Sequence, residues 1–189
     1  MPTLQGHTRT AFLCFFISHI PITLLIDSQA VFPRDWYPNF LRSMVEWYST
    51  TFKDELMMHP PTWFKSLVVI ELLFQVPFFL VAVYYIIARG TRREDDDDDD
   101  DDDDDVNVSI ARYDGAFRSS CTMYGSSTVT TMIPILSSIL FARDDTTVVE
   151  RGRLMCLYLP YIFFPSWLLV IAMREERMVG TTDTRRKRR

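Results

Sequence analysis

The sequence predicts an all-α polytopic membrane protein. The expected core is a four-helix transmembrane bundle of proline-kinked helices, with an amphipathic helix in the first luminal loop. Three observations carry this. Apolar residues gather into runs about as long as the roughly 20 helical residues a bilayer core requires. Charged residues are confined mostly to the connections between those runs. Lys and Arg are unequally shared between alternate connections, which gives the spans a direction.

The averages hide this pattern. The chain has 189 residues, enough for one domain, and is 48% hydrophobic with a formal charge of −5. Its mean hydropathy is only +0.01. Asp95 to Asp105 are 11 consecutive aspartates; without them 14 acidic residues face 20 basic ones. The acidic balance therefore describes the tract and not the rest of the chain. Cys14, Cys121 and Cys156 lie far apart in or beside apolar runs, which predicts buried thiols and neither a disulfide framework nor a zinc site.

The spans fall at about 11–31, 67–88, 123–142 and 154–173. The second is interrupted only by Glu71, Gln75 and Pro77, and the fourth carries no charge. The third, "MYGSSTVTTMIPILSSILFA", is rich in Ser and Thr, which suits a helix packed among others with hydroxyls bonding across the interface. For the first, Ser28-Gln29-Ala30 offers a signal-peptide alternative. Against it, the apolar region is too long, contains His19, Pro21 and Asp27, and follows a single Arg. Pro21, Pro77, Pro134, Pro160 and Pro165 each free a carbonyl four residues back, so the spans are expected to splay and leave room for a cavity.

The N-terminal segment, the 89–118 connection and the tail hold 1, 5 and 7 basic residues; the 32–66 and 143–153 connections hold 4 and 3. The excess marks the cytoplasmic side. Residues 1–10 and the basic tail 174–189 are thus expected in the cytosol, flanking a membrane domain at 11–173. Residues 94–105 read as a disordered acidic insertion, since like charges repel and bury nothing. In the 32–66 loop, Tyr37, Phe40, Leu41, Met44, Val45, Tyr48 and Phe52 recur at helical spacing. Asn39, Arg42, Glu46, Ser49 and Lys53 take the other face. With Trp36, Trp47 and Trp63 nearby, this helix lies at the membrane interface or caps the bundle as a lid.

Two acids sit inside apolar runs. A carboxylate at the centre of a span costs about 2.5–3.5 kcal/mol on insertion scales, so such groups face inward and pair. Asp27 lies near the end of the first span and Glu71 near the start of the second, at matching depth if the two are antiparallel. Gln75 shares a face with Glu71, and His19 lies on a face related to that of Asp27. In close contact the two carboxyls would share one proton and leave one net charge. That suits a hydrophobic ligand bearing a cation or hydroxyl; the alternative is that they only knit helices together. No GxSxG, phosphate loop or HExxH is present, and Glu55 and His59 are followed at once by Pro60-Pro61. No catalytic residue, cofactor, metal or nucleic-acid partner is expected.

The blocks "SHIPITLLIDSQAV", "FKDELMMHPPTWFKS", "ELLFQVPFF", "TTMIPILSS" and "LYLPYIFFP" resemble the sigma-2 receptor branch of the EXPERA membrane proteins, over about Ser18 to Ala88 and Tyr124 to Pro165. The resemblance implies a four-helix protein of the endoplasmic reticulum membrane, often a homodimer, that binds sterols or cationic amphiphiles. It further implies a part in cholesterol trafficking beside a Niemann–Pick type C cholesterol transporter. Carried over by matching motif, Asp27 would be the counter-ion for a ligand amine and Glu71 its protonated partner. Gln75, His19, Thr131, Tyr158 and Tyr161 would line the pocket, and Trp47 and Phe52 would close it. The same superfamily contains the sterol Δ8–Δ7 isomerase, so an enzyme using the paired acids is the alternative; its additional helix and its set of acids and histidine are not found here. The aspartate tract departs from the family pattern, and "RRKRR" resembles a basic retrieval signal.

Overall fold

The computed structural model describes residues 6–95, 104–141 and 146–186. The middle of the aspartate tract and the last three residues of "RRKRR" lie outside the described residues. All regular structure among the described residues is helical: α1 (Gly6–Leu25), α2 (Asn39–Phe52), α3 (Glu55–Met58), α4 (Thr62–Ile70), α5 (Val76–Asp95), α6 (Asp104–Leu140) and α7 (Val148–Arg186). Short 3-10 turns occupy Asp27–Ala30 and Arg34–Trp36, and a π-helical turn at Glu71–Gln75 joins α4 to α5.

Local chemistry sets most of these boundaries. Pro60 and Pro61 hold the chain extended, so α4 begins at Thr62, earlier than the apolar run alone indicates. Thr147 and Glu150 form a capping box at the start of α7: Glu150 Oε2 accepts from the Thr147 N–H at 2.8 Å, and Thr147 Oγ1 accepts from the Glu150 N–H at 3.3 Å. Lys53 ends α2 in the left-handed region, at φ 52°. The Asp54 N–H then reaches back to the Ser49 carbonyl at 2.9 Å, a closing bond that turns the chain inward. Pro77 has no N–H and its ring crowds the carbonyl of Leu73. The helix accommodates this by widening, with the Val76 N–H bonding five residues back to the Glu71 carbonyl. Pro21, Pro134, Pro160 and Pro165 lie inside unbroken α-helices.

Among the described residues, three segments are long and apolar enough to cross a membrane: Gly6–Ala30, Thr62–Ala88 and Val148–Glu175. The 123–142 stretch is helical to Leu140, but its Ser and Thr content keeps it out of that set. It is held by packing instead, since α6 runs along α7 more extensively than any other pair of elements. Gly125 allows the close approach. A Cβ there would lie 2.8 Å from Leu169 Cβ and 2.9 Å from the Pro165 carbonyl oxygen.

Two apolar clusters fill the bundle. The first joins α1, α5, α6 and α7 through Phe12, Phe16, Phe79, Tyr124 and Leu168, with rings stacked and edge-on. The second lies under the arm formed by α2 and α3, through Val45, Leu56, Met57, Phe64, Met132 and Leu154. Two expectations are corrected here. Ser49, assigned to the polar face of α2, is buried, and of the apolar face Phe40 and Met44 stay exposed while Leu41 and Val45 are buried. At 100° per residue the buried stripe centres on Leu41 and Val45, one position away. Cys14 and Cys156 turn outward, and only Cys121 is buried.

Candidate functional site

A polar layer separates the two clusters. Each helix passes from the first cluster to the second through hydrogen-bonding side chains: His19 and Thr23 on α1, Glu71 and Gln75 on the π-turn, Thr128 on α6, Tyr161 on α7. His19 and Thr23 precede Asp27 at intervals of four, so one face of the first span carries all three toward the bundle.

Glu71 is held by that face. The Thr23 hydroxyl donates to Glu71 Oε1 at 2.7 Å, and His19 Nε2 lies 3.6 Å from the same oxygen. The His19 ring is packed between Phe15, Phe79 and Tyr161, with centroids 4.8, 5.0 and 4.8 Å away. Gln75 is buried one turn on, where Thr128 Oγ1 donates to its Oε1 at 3.3 Å and more closely, at 2.9 Å, to the Tyr124 carbonyl. Thr131 is half-buried on the same helix, with its hydroxyl donated to the Thr128 carbonyl.

Asp27 opens the 3-10 turn that follows α1. Its half-buried carboxyl lies within electrostatic reach of Glu71 and Asp54. No hydrogen bond among the described residues joins Asp27 to Glu71. Thr23 and His19 both meet Glu71 Oε1, and Asp27 bears on Glu71 through its charge.

Asp54, which the sequence reading passed over, is the most completely satisfied acid of the group. It is fully buried. Its Oδ1 accepts from the Leu56 and Met57 N–H groups at 3.1 and 3.3 Å, as the N-cap of α3. Its Oδ2 accepts from Tyr48 at 3.1 Å and Tyr158 at 2.9 Å. Burial pushes the Asp54 carboxyl above its ordinary value, with the four hydrogen bonds pulling the other way. The neighbouring Tyr48 phenol is also raised, by burial and then by the charge of Asp54. Tyr158 thus bonds to the arm and stands 6.1 Å from the Tyr161 ring.

The two loop residues expected to close the pocket meet edge-on, with ring centroids 6.3 Å apart. Phe52 packs against the second cluster and lines a cleft of about 60 Å³ with Asp54, Leu56, Ile139, Glu150 and Leu154. Lys53 spans its rim to Glu150 Oε1 at 2.8 Å. Trp47 is 62% exposed on the outer edge of α2. The residues missed from sequence are Thr23, Tyr48 and Asp54. The i,i+4 series through His19 and Asp27 points to Thr23, and the Asp-Glu-Leu-Met start of α3 points to a capping role for Asp54. Tyr48 gives no such signal.

With the geometry in place, likeness to known proteins is informative. The family described as EXPERA (EXPanded EBP superfamily) matches residues 40–172, more than half of the chain. Sigma intracellular receptor 2 of Homo sapiens is 36% identical over 170 residues, covering 85% of this chain and 84% of that protein. The Xenopus tropicalis protein of the same name is 35% identical over 183 residues, covering 93% and 94%. Efficient mitochondria targeting-associated protein 19 of Saccharomyces cerevisiae is 39% identical over 75 residues, covering 39% of this chain and 47% of that one.

Proposed function

This chain belongs to the EXPERA (EXPanded EBP superfamily) membrane proteins, in the family that includes sigma intracellular receptor 2, and from that premise we propose that it binds a cationic amphiphile or a sterol within the membrane. The observation that carries the reading is the convergence of Asp27, Glu71 and Asp54 among aromatic side chains, with one acid left without a donor among the described residues. Acids at membrane depth persist where they meet a partner or serve a ligand. Glu71 has Thr23, and Asp54 has four donors. Asp27 is the carboxylate placed to meet a ligand cation or hydroxyl. Tyr158, Tyr161, His19 and Gln75 supply the wall, and Phe52 the floor of the arm.

The cleft beside Asp54 measures about 60 Å³, against roughly 300 Å³ or more for ligand sites. A ligand reaching Asp54 by that way therefore has to lift the α2–α3 arm, and Lys53 and Glu150 span the edge that would part. The cellular reading places the protein in the endoplasmic reticulum membrane with both termini cytosolic, acting in sterol homeostasis, as a homodimer or beside a sterol transporter.

The test is photo-crosslinking of the purified protein in detergent with a diazirine sterol and with a diazirine alkylamine. Labelling by either probe that is lost in Asp27→Asn and reduced in Glu71→Gln supports the reading. Labelling unchanged by both substitutions makes the acids structural. Turnover of a Δ8 sterol, lost in the same variants, would move the assignment to an isomerase.

A further inference from the structure

α2 has two apolar edges. Leu41 and Val45 are buried, and Tyr48 and Phe52 pack against the second cluster. The other edge is largely open among the described residues: Phe40, Met44 and Trp47, spaced four and three apart, are 68%, 44% and 62% exposed. Trp36, 71% exposed, lies in the 3-10 turn just before α2, and Phe32 stacks on it with centroids 5.5 Å apart and planes 17° from parallel. Phe32 lies two residues beyond Ala30, the last residue of the first membrane-crossing segment. The apolar edge is thus continuous in sequence with a surface that faces lipid. Large exposed apolar side chains gathered on one segment mark an interaction surface.

The polar residues beside it narrow the partner. Arg34 and Arg42 line an open groove with Asn39, Ser43 and Glu46. Arg42 Nη1 is 3.6 Å from Asp35 Oδ1. Cations beside an aromatic edge, on a helix tethered between two membrane crossings, fit a bilayer interface: rings enter the boundary of headgroups and acyl chains while guanidiniums reach phosphates. A soluble protein partner would have no reason to require that the edge begin where the first span ends.

We infer that the outer edge of α2 is a membrane-interface anchor, with Trp36, Phe40 and Met44 seated at the boundary of headgroups and acyl chains and Arg34 and Arg42 at lipid phosphates. The arm over the candidate site is then fastened on two sides, by Tyr158 to Asp54 within the bundle and by lipid outside. The inference stands apart from any ligand.

The full chain in phosphatidylcholine–phosphatidylserine nanodiscs provides the test, using lipids brominated near the carbonyl end of the acyl chain. The Trp36 contribution is the difference in emission between the native chain and Trp36→Phe. That contribution should fall about twofold or more in brominated discs and resist aqueous acrylamide, as for a ring at interfacial depth. Phe40→Trp adds a second probe one turn on and should behave alike. Quenching by acrylamide alone would put the edge in water and overturn the inference. Protection from both quenchers would overturn it too, by showing that a second copy or another protein covers the edge.

Discussion

Asp27 and Asp54 lie within electrostatic reach of each other and contrast in every other respect. Asp54 is fully buried and accepts four hydrogen bonds, two from backbone and two from tyrosines on different helices. Asp27 is half-buried and accepts none among the described residues, with Glu71 and Asp54 both near enough to oppose its charge. Donor supply separates the two roles. A buried carboxylate whose donors are complete ties elements together, and removing it strands those donors. A carboxylate without donors beside like charge gains most from a proton or an incoming cation.

The sharpest way to break this contrast is Asp54→Ala. It strands two backbone N–H groups and two phenols in a dry interior and removes a helix cap, so a loss of about 3 kcal/mol or more is expected. Thermal unfolding in detergent should show a large fall in Tm, with Asp54→Asn milder because one acceptor oxygen remains. A Tm within error of the native chain would refute a structural role for Asp54. Thr23→Val follows, at about 1 kcal/mol. It takes from the Glu71 side chain its 2.7 Å hydrogen bond, and amine binding should weaken if Glu71 is then free to turn toward Asp27. Unchanged binding and Tm together would count against the polar layer as a unit.

The pH dependence is smaller and its sign follows from the raised Asp54 carboxyl. Between the ordinary carboxylate value and the raised folded value, the folded protein holds a proton that the unfolded chain has released. Stability from this group is complete below that window, falls as pH rises through it, and is level above it. Tm measured across the acidic range should show that slope in the native chain and lose it in Asp54→Asn. An identical slope in both would assign the titration elsewhere. The smallest effect is expected from Lys53→Met. Its ion pair with Glu150 is solvent-screened, so Tm should scarcely move. Faster ligand exchange without a change in Tm would sharpen the view of this rim as the edge that opens.

Much of this contrast was legible in the sequence, for a physical reason. Membrane insertion penalises charge, so Asp27 and Glu71 stand out against their apolar runs, and helical periodicity places Gln75 with one and His19 near the other. Asp54 escaped notice because it lies in a connection where acids carry no such penalty, and its burial depends on tyrosines 6 residues before and 104 after it. The π-turn also escaped, since its cause at Pro77 is visible but its widened hydrogen bonding is one of several ways a helix can accommodate proline. Trp47 enters only through the resemblance, outside the periodic set of α2, and its outward position follows from which edge of α2 the bundle engages.

The most direct measurement sets Asp27→Asn against Asp54→Asn, recording Tm with and without a saturating cationic amphiphile. Asp27→Asn should unfold at the native temperature or slightly above it and lose the ligand-induced rise, an affinity drop of about a hundredfold, or near 3 kcal/mol. Asp54→Asn should unfold lower and still rise with ligand. If Asp27→Asn keeps the full ligand-induced rise, or destabilises the protein as much as Asp54→Asn does, the division of labour between these two acids is contradicted.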